Sequence, residues 1–237
     1  MQWVLLPGFD GTGMLYAPLL RALPAQVVPT VIRYPANRIC SAGDLVDIVL
    51  SSLPESKPYV LIAESFSGPI ALRASRLRAP TALVLCASFT KRPLPHLAIT
   101  AMRIIGSIVF RWPPPKWFVR RYLIGDAPDD VLSLFYSAIT AVSPHVLAGR
   151  FDVLREFNDE YASGKLECPL LYLQATKDRL VSSRNVRSVE RQYPDVRIER
   201  IESPHLVLQV QPQAAVRAIL GFLARLSLVD QGILENC

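Results

Sequence analysis

The chain has 237 residues, enough for one substantial core. It is 51% hydrophobic and 19% charged, a balance that suits a buried parallel sheet flanked by helices. Its net charge of +6 comes without any nucleic-acid-binding motif, which argues against DNA or RNA as a partner, and no apolar run reaches the ~18 residues of a spanning helix. Cys40, Cys86, Cys168 and Cys237 show no paired spacing, which with the lack of a cationic, cleavable leader points to free thiols in a reducing cytoplasm.

In chain order, Met1-Gln2-Trp3 runs straight into an apolar strand over 3–6 and then a glycine-rich loop, Pro7-Gly8-Phe9-Asp10-Gly11-Thr12-Gly13. Such a loop could cradle a phosphate, but the Gly-x-Gly-x-x-Gly spacing is missing and Asp10 stands where an anion would sit. It could instead aim the N–H of Phe9 at a developing oxyanion. A strand over 27–32 and a helix over 45–53 follow.

The most informative stretch is Tyr59 to Leu72. A strand over 59–63 ends in Glu64-Ser65-Phe66-Ser67-Gly68, and a helical pattern over 68–77 begins at once. A serine at a strand-to-helix turn, with small residues at Ala63, Ser67 and Gly68, is a relaxed form of the nucleophile elbow. The small residues alone would also fit an ordinary β–α loop. Of the two serines, Ser65 is preferred. If Ser67 were the nucleophile, Pro69 would fall at the close crossing of strand and helix, and Pro69 suits a first helical turn better. The N–H of Phe66 then becomes the second oxyanion donor.

After a strand over 82–86, the interval 90–162 is too long for a simple crossover and predicts an inserted helical cap over a core formed by 1–89 and 163–237. Its helices are expected from 97 onward, over 129–141 and over 144–158. The first is apolar around most of its circumference, so Ile105, Ile108 and Trp112 are expected to line an acyl pocket. Lys116 to Tyr122 is a basic, aromatic stretch, and the basic face made by arginines spread through the cap and the C-terminal half either is solvated or attracts an anionic lipid surface or an acidic acyl carrier protein.

A continuous apolar strand over 169–174 runs into Thr176-Lys177-Asp178, leaving Asp178 at a strand's carboxyl end, where ligands gather in α/β sheets. A helix over 186–193 and an alternating strand over 196–201 lead to Ser203-Pro204-His205, followed by a helix over 214–226. Among the three histidines, His96 lies in a proline-rich loop and His145 follows a Ser-Pro helix start, so His205 is the candidate base. Ser65, Asp178 and His205 fall in the chain order of a serine-hydrolase triad.

With the loop at 5–13, the elbow at 64–68 and the segment Ser203 to Gln209, the whole chain resembles the α/β-hydrolase superfamily, and within it the small bacterial serine carboxylesterases. Two departures stand out: the loop begins Pro7-Gly8 in place of His-Gly, and Ala63 replaces the first glycine of the elbow. The resemblance implies about six parallel strands, the first two of the full sheet being absent, with helices on both faces. It also implies turnover of short to medium acyl esters without cofactor or metal. The alternatives are a thioesterase or methyl-esterase acting on carrier-bound acyl chains, an acyltransferase, or a non-catalytic ligand-binding protein on this fold. The filled triad positions argue against the last.

Overall fold

The computed structural model describes residues 1–55, 58–157 and 164–227. The expected cap boundary at 162–163, the last residue of the helix expected over 144–158, and Cys237 lie outside the described residues.

Six parallel strands form one sheet: β1 (Gln2–Leu6), β2 (Val28–Val31), β3 (Tyr59–Glu64), β4 (Ala82–Cys86), β5 (Leu170–Ala175) and β6 (Arg197–Ile201). All six lie within two residues of the expected bounds. Their order is β2-β1-β3-β4-β5-β6. The chain leaves β1 in one direction and returns on its other side at β3, so the carboxyl ends of β1 and β3 flank the point where strand order reverses. Open α/β sheets build their sites at that crevice.

Strand alternation explains the layers. Val4, Leu6, Leu61, Ala63, Leu83 and Leu85 face one side, under α2 (Ala42–Ser52) and α3 (Gly68–Leu77). Trp3, Leu5, Val60, Ile62, Val84 and Leu171 face the other, with α1 (Ala17–Ala22) and the C-terminal helix Pro212–Arg225. Strands β1 and β3 are buried on both faces, which is why they read as unbroken apolar runs.

Between β4 and β5 lie α4 (His96–Val109), α5 (Lys116–Val119) with a π-helical turn at Arg120–Ile124, α6 (Asp129–Thr140) and α7 (Pro144–Glu156). These helices have a core of their own around Val119, Ile124, Leu132, Phe135 and Leu147, which reaches Leu15 and Leu206 of the sheet layer. Among the described residues no single helix is long and apolar enough to cross a membrane; α6 and α7 meet that test only as a pair bent by 89°. After β5, the described residues also form α8 (Arg184–Gln192), α9 (Val207–Val210) and α10, the helix over Pro212–Arg225.

Candidate active site

Strand β3 ends at Glu64, and Ser65 takes φ 46°, in the left-handed region that costs a non-glycine residue about 1–3 kcal/mol. That turn lets helix α3 start immediately, after one 3-10 turn over Ser65–Ser67. Gly68 is required by contact: a Cβ there would stand 1.9 Å from Ser88 Oγ. Ser88 Oγ itself donates to the Ser65 carbonyl at 2.6 Å, and the Tyr172 hydroxyl donates to the Ser88 carbonyl at 2.7 Å. The strained turn is thus tied to the segment after β4 and, through Tyr172, to the middle of β5.

The structure brings Ser65, His205 and Asp178 together. His205 Nε2 lies 2.9 Å from Ser65 Oγ, and Nδ1 lies 2.7 Å from Asp178 Oδ2. The other carboxylate oxygen, Oδ1, accepts the N–H groups of Leu180 at 2.8 Å and Val181 at 2.9 Å. Those two donors leave Oδ2 for the imidazole. The loops carrying Asp178 and His205 are bound to each other by Thr176 N–H to the Ile201 carbonyl at 2.9 Å and Lys177 N–H to the Ser203 carbonyl at 3.0 Å. Leu206 N–H donates to the Leu123 carbonyl at 2.9 Å, which ties the histidine loop to the π-helical turn. His205 is 2% exposed and Ser65 8%. His96 and His145 are exposed, and Glu202 pairs at the surface with Lys177 at 2.6 Å.

Ser67 has a different occupation. It is fully buried, donates to the Pro7 carbonyl and meets the Tyr34 hydroxyl at 2.7 Å. It fastens the glycine loop to the serine turn. In that loop Gly11 N–H donates to the Gly8 carbonyl at 3.1 Å, and Gly11 and Gly13 take φ of 67° and 74°. Asp10 turns inward and accepts from Thr12 N–H and Oγ1 at 2.8 and 2.5 Å. Among the described residues the Phe9 N–H has no partner, and the Phe66 N–H lies in a first helical turn, which has no intrahelical acceptor for it. Arg150 of α7, 4% exposed, donates to the Phe9 carbonyl and so grips the peptide beside the one in question.

An aromatic cluster covers these two residues. The Phe9 ring lies 5.8 Å from Phe66, 5.3 Å from Phe151 and 6.1 Å from Phe110, and Phe66 is 6.2 Å from Phe157. The residues expected to line an acyl pocket stand elsewhere. Ile105, Ile108 and Trp112 are exposed, because α4 turns Ile99, Gly106 and its following Phe110 inward and these three to the opposite side. The structure leaves these three at the surface, whereas Phe110 and Phe151 pack on the Phe9 ring and Phe157 on the Phe66 ring. A cleft of about 370 Å³ opens beside Asp178, lined by Tyr172, Thr176 and Val181, but neither Ser65 nor His205 borders it.

Four contributing residues escaped sequence reasoning: Glu64, Ser88, Arg150 and Gln209. Glu64 is 1% exposed, and its Oε2 accepts from Gln209 Nε2 at 3.1 Å. Burial pushes its carboxyl up to about 7; the nearby His205 and the Gln209 bond pull the other way and Asp10 adds to the rise. Burial likewise lowers the Arg150 guanidinium to about 10, against the opposing pull of Asp10. A signal for Arg150 was readable: it is an arginine among Val146, Leu147, Val153 and Leu154 at helical spacing, the apolar side of α7.

A family model described as the alpha/beta hydrolase family matches residues 3–219. The chain belongs to that family. No curated protein sequence matches it. Among solved structures it is similar to a thermophilic esterase from Thermogutta terrifontis, at 18% identity and TM-score 0.80 over 95% of this chain and 90% of that one. An esterase from Exiguobacterium antarcticum matches at 15% identity and TM-score 0.79, covering 94% and 92%. An enol-lactonase from Burkholderia xenovorans matches at 12% identity and TM-score 0.76, covering 94% and 91%. At these identities the likeness speaks for the fold.

Proposed function

We propose that this member of the alpha/beta hydrolase family cleaves carboxylic esters of short to medium acyl chains through an acyl-enzyme on Ser65. The observation that supports this most strongly is the hydrogen-bond chain from Asp178 through His205 to Ser65, at 2.7 and 2.9 Å, on a serine held at φ 46°. The esterases and the lactonase of similar fold act, by their names, on the same bond type.

In this reading Ser65 Oγ bonds to the ester carbonyl carbon while its proton passes to His205 Nε2. Asp178 holds the imidazole in the tautomer that can accept, and stabilises the imidazolium that results. The carbonyl oxygen, now an alkoxide, faces the N–H groups of Phe9 and Phe66, where one fixed donor contributes about 3 kcal/mol. Collapse expels the alcohol, which takes the proton from His205. Water then repeats the sequence on the acyl-enzyme and releases the acid. The helices between β4 and β5 act as the cap, and Phe110 and Phe151 form the apolar wall for the acyl group. No metal or cofactor takes part in these steps.

A fluorophosphonate probe tests the assignment. It is expected to label the protein at Ser65, and Ser65→Ala is expected to lose both labelling and turnover of p-nitrophenyl butyrate while keeping its circular dichroism. Ser67→Ala is expected to keep the label and lose about 1–3 kcal/mol of stability, because the buried Pro7 carbonyl is left unpaired. Undiminished turnover in Ser65→Ala would overturn the proposal.

A further inference from the structure

Helix α4 and the turn after it carry a surface that the candidate site does not use. Gly106 packs so closely on α7 that a Cβ would stand 3.1 Å from Ala148, which fixes the inward side of the helix. On the outward side Leu97 is 81% exposed and Ile104 70%, and beyond the helix Trp112 and Trp117 are each 67% exposed. Of the twelve large apolar side chains exposed among the described residues, eight fall within 94–117, so they form a patch and not the usual scatter.

The segment that carries this patch is charged with one sign. Residues 91–125 include seven lysines and arginines and no aspartate or glutamate. Arg103 is engaged by Asp152, and Lys116 and Arg120 share Asp129 at 3.6 and 2.6 Å. Arg111 and Arg121 are exposed without an ion-pair partner among the described residues, and Arg121 lies over the Tyr122 ring at 5.9 Å. An apolar helical face, tryptophans in the turn after it, and cations of which Arg111 and Arg121 are left without a carboxylate partner make up the composition that lies in the interface of an anionic bilayer.

We propose that the outward face of α4, with Trp112 and Trp117, docks the protein on an anionic phospholipid surface. Pairing with a second copy through this face would set like charges against each other. The proposal goes beyond ester hydrolysis and does not depend on Ser65.

The chain carries its own reporter. Of its three tryptophans Trp3 is fully buried, so a change in emission on binding comes from Trp112 and Trp117. The full-length protein is titrated with phosphatidylcholine vesicles, with and without roughly one-third phosphatidylglycerol. A blue shift and co-flotation are expected with the anionic vesicles, at least about tenfold weaker with the neutral ones, and weakened by salt as screening lengths shrink. Leu97→Ser with Ile104→Ser, and separately Arg111→Gln with Arg121→Gln, are each expected to weaken flotation about tenfold while hydrolysis of a water-soluble ester stays parental. Should the apolar pair fail to fold, the charge pair and the two lipid compositions carry the test. Equal behaviour on both vesicles, or no flotation, would overturn the proposal. So would a dimer dispersed by Ile104→Ser, or binding of a purified acidic carrier protein through these residues with none to vesicles.

Discussion

Glu64 precedes the candidate nucleophile and is sealed from water, and Glu64→Gln probes the consequence. Its carboxyl is raised from 4.5 to about 7, chiefly by burial, so the folded state holds the proton more tightly than the unfolded one. Stability from this group is therefore complete below about pH 4.5 and is lost as pH rises toward and past 7. At ~1.4 kcal/mol for each tenfold change in proton affinity the full loss is about 3 kcal/mol, of which about 2.5 falls between pH 5 and 8. The hydrogen bonding agrees with a neutral acid. Glu64 Oε1 is buried without a partner, so no donor offsets the cost of a charge on that oxygen. A glutamine at 64 supplies a permanent N–H in its place and never ionises. Urea unfolding of parent and variant at pH 5 and pH 8 measures the effect, since titrations common to both cancel in the difference. The variant is expected to gain about 2.5 kcal/mol on the parent over that interval, or roughly 1 M in midpoint. Parallel stability curves would refute the reasoning and place the Glu64 proton affinity near that of an exposed carboxyl.

Asp178→Asn is expected to lower kcat/KM on p-nitrophenyl butyrate by about 10³–10⁴. Leu180 and Val181 N–H groups hold one oxygen, so the new amide NH₂ must face His205 Nδ1. That forces the tautomer whose Nε2–H cannot accept the serine proton; activity within tenfold of the parent would exclude it. Gly68→Ala should lose about 1–3 kcal/mol in thermal or urea unfolding and lose activity too. The added methyl meets Ser88 Oγ and, at 2.9 Å, Ser88 Cβ, which outweighs the gain in helix propensity of about 1 kcal/mol. A variant as stable as the parent would show that Ser88 can leave the Ser65 carbonyl at no cost.

What could be read from the sequence follows a physical division. Strands β1, β3, β4 and β5 are buried on both faces, so their apolar runs are set by local composition and their ends by the turn residues beside them. Ser65 and Asp178 follow two such strands, β3 and β5, His205 follows the half-exposed edge strand β6, and sheet order brings those ends together. The residues that escaped act through partners far along the chain. Glu64 meets Gln209, Ser88 meets the Ser65 carbonyl and Arg150 reaches Phe9 from a helix between β4 and β5, and no local pattern encodes those pairs. Helix α4 shows the same limit from the other side. Its sequence is apolar nearly all round, which is compatible with core packing, with a pocket wall or with an outer interface. The close approach of Gly106 to Ala148, the burial of Ile99 and the Arg103–Asp152 pair select the inward face, and that choice turns Ile105 and Ile108 outward while Phe110 goes to Phe9. The side of α4 that packs on α7 therefore decides which aromatics meet Phe9 and which apolar side chains are left at the surface.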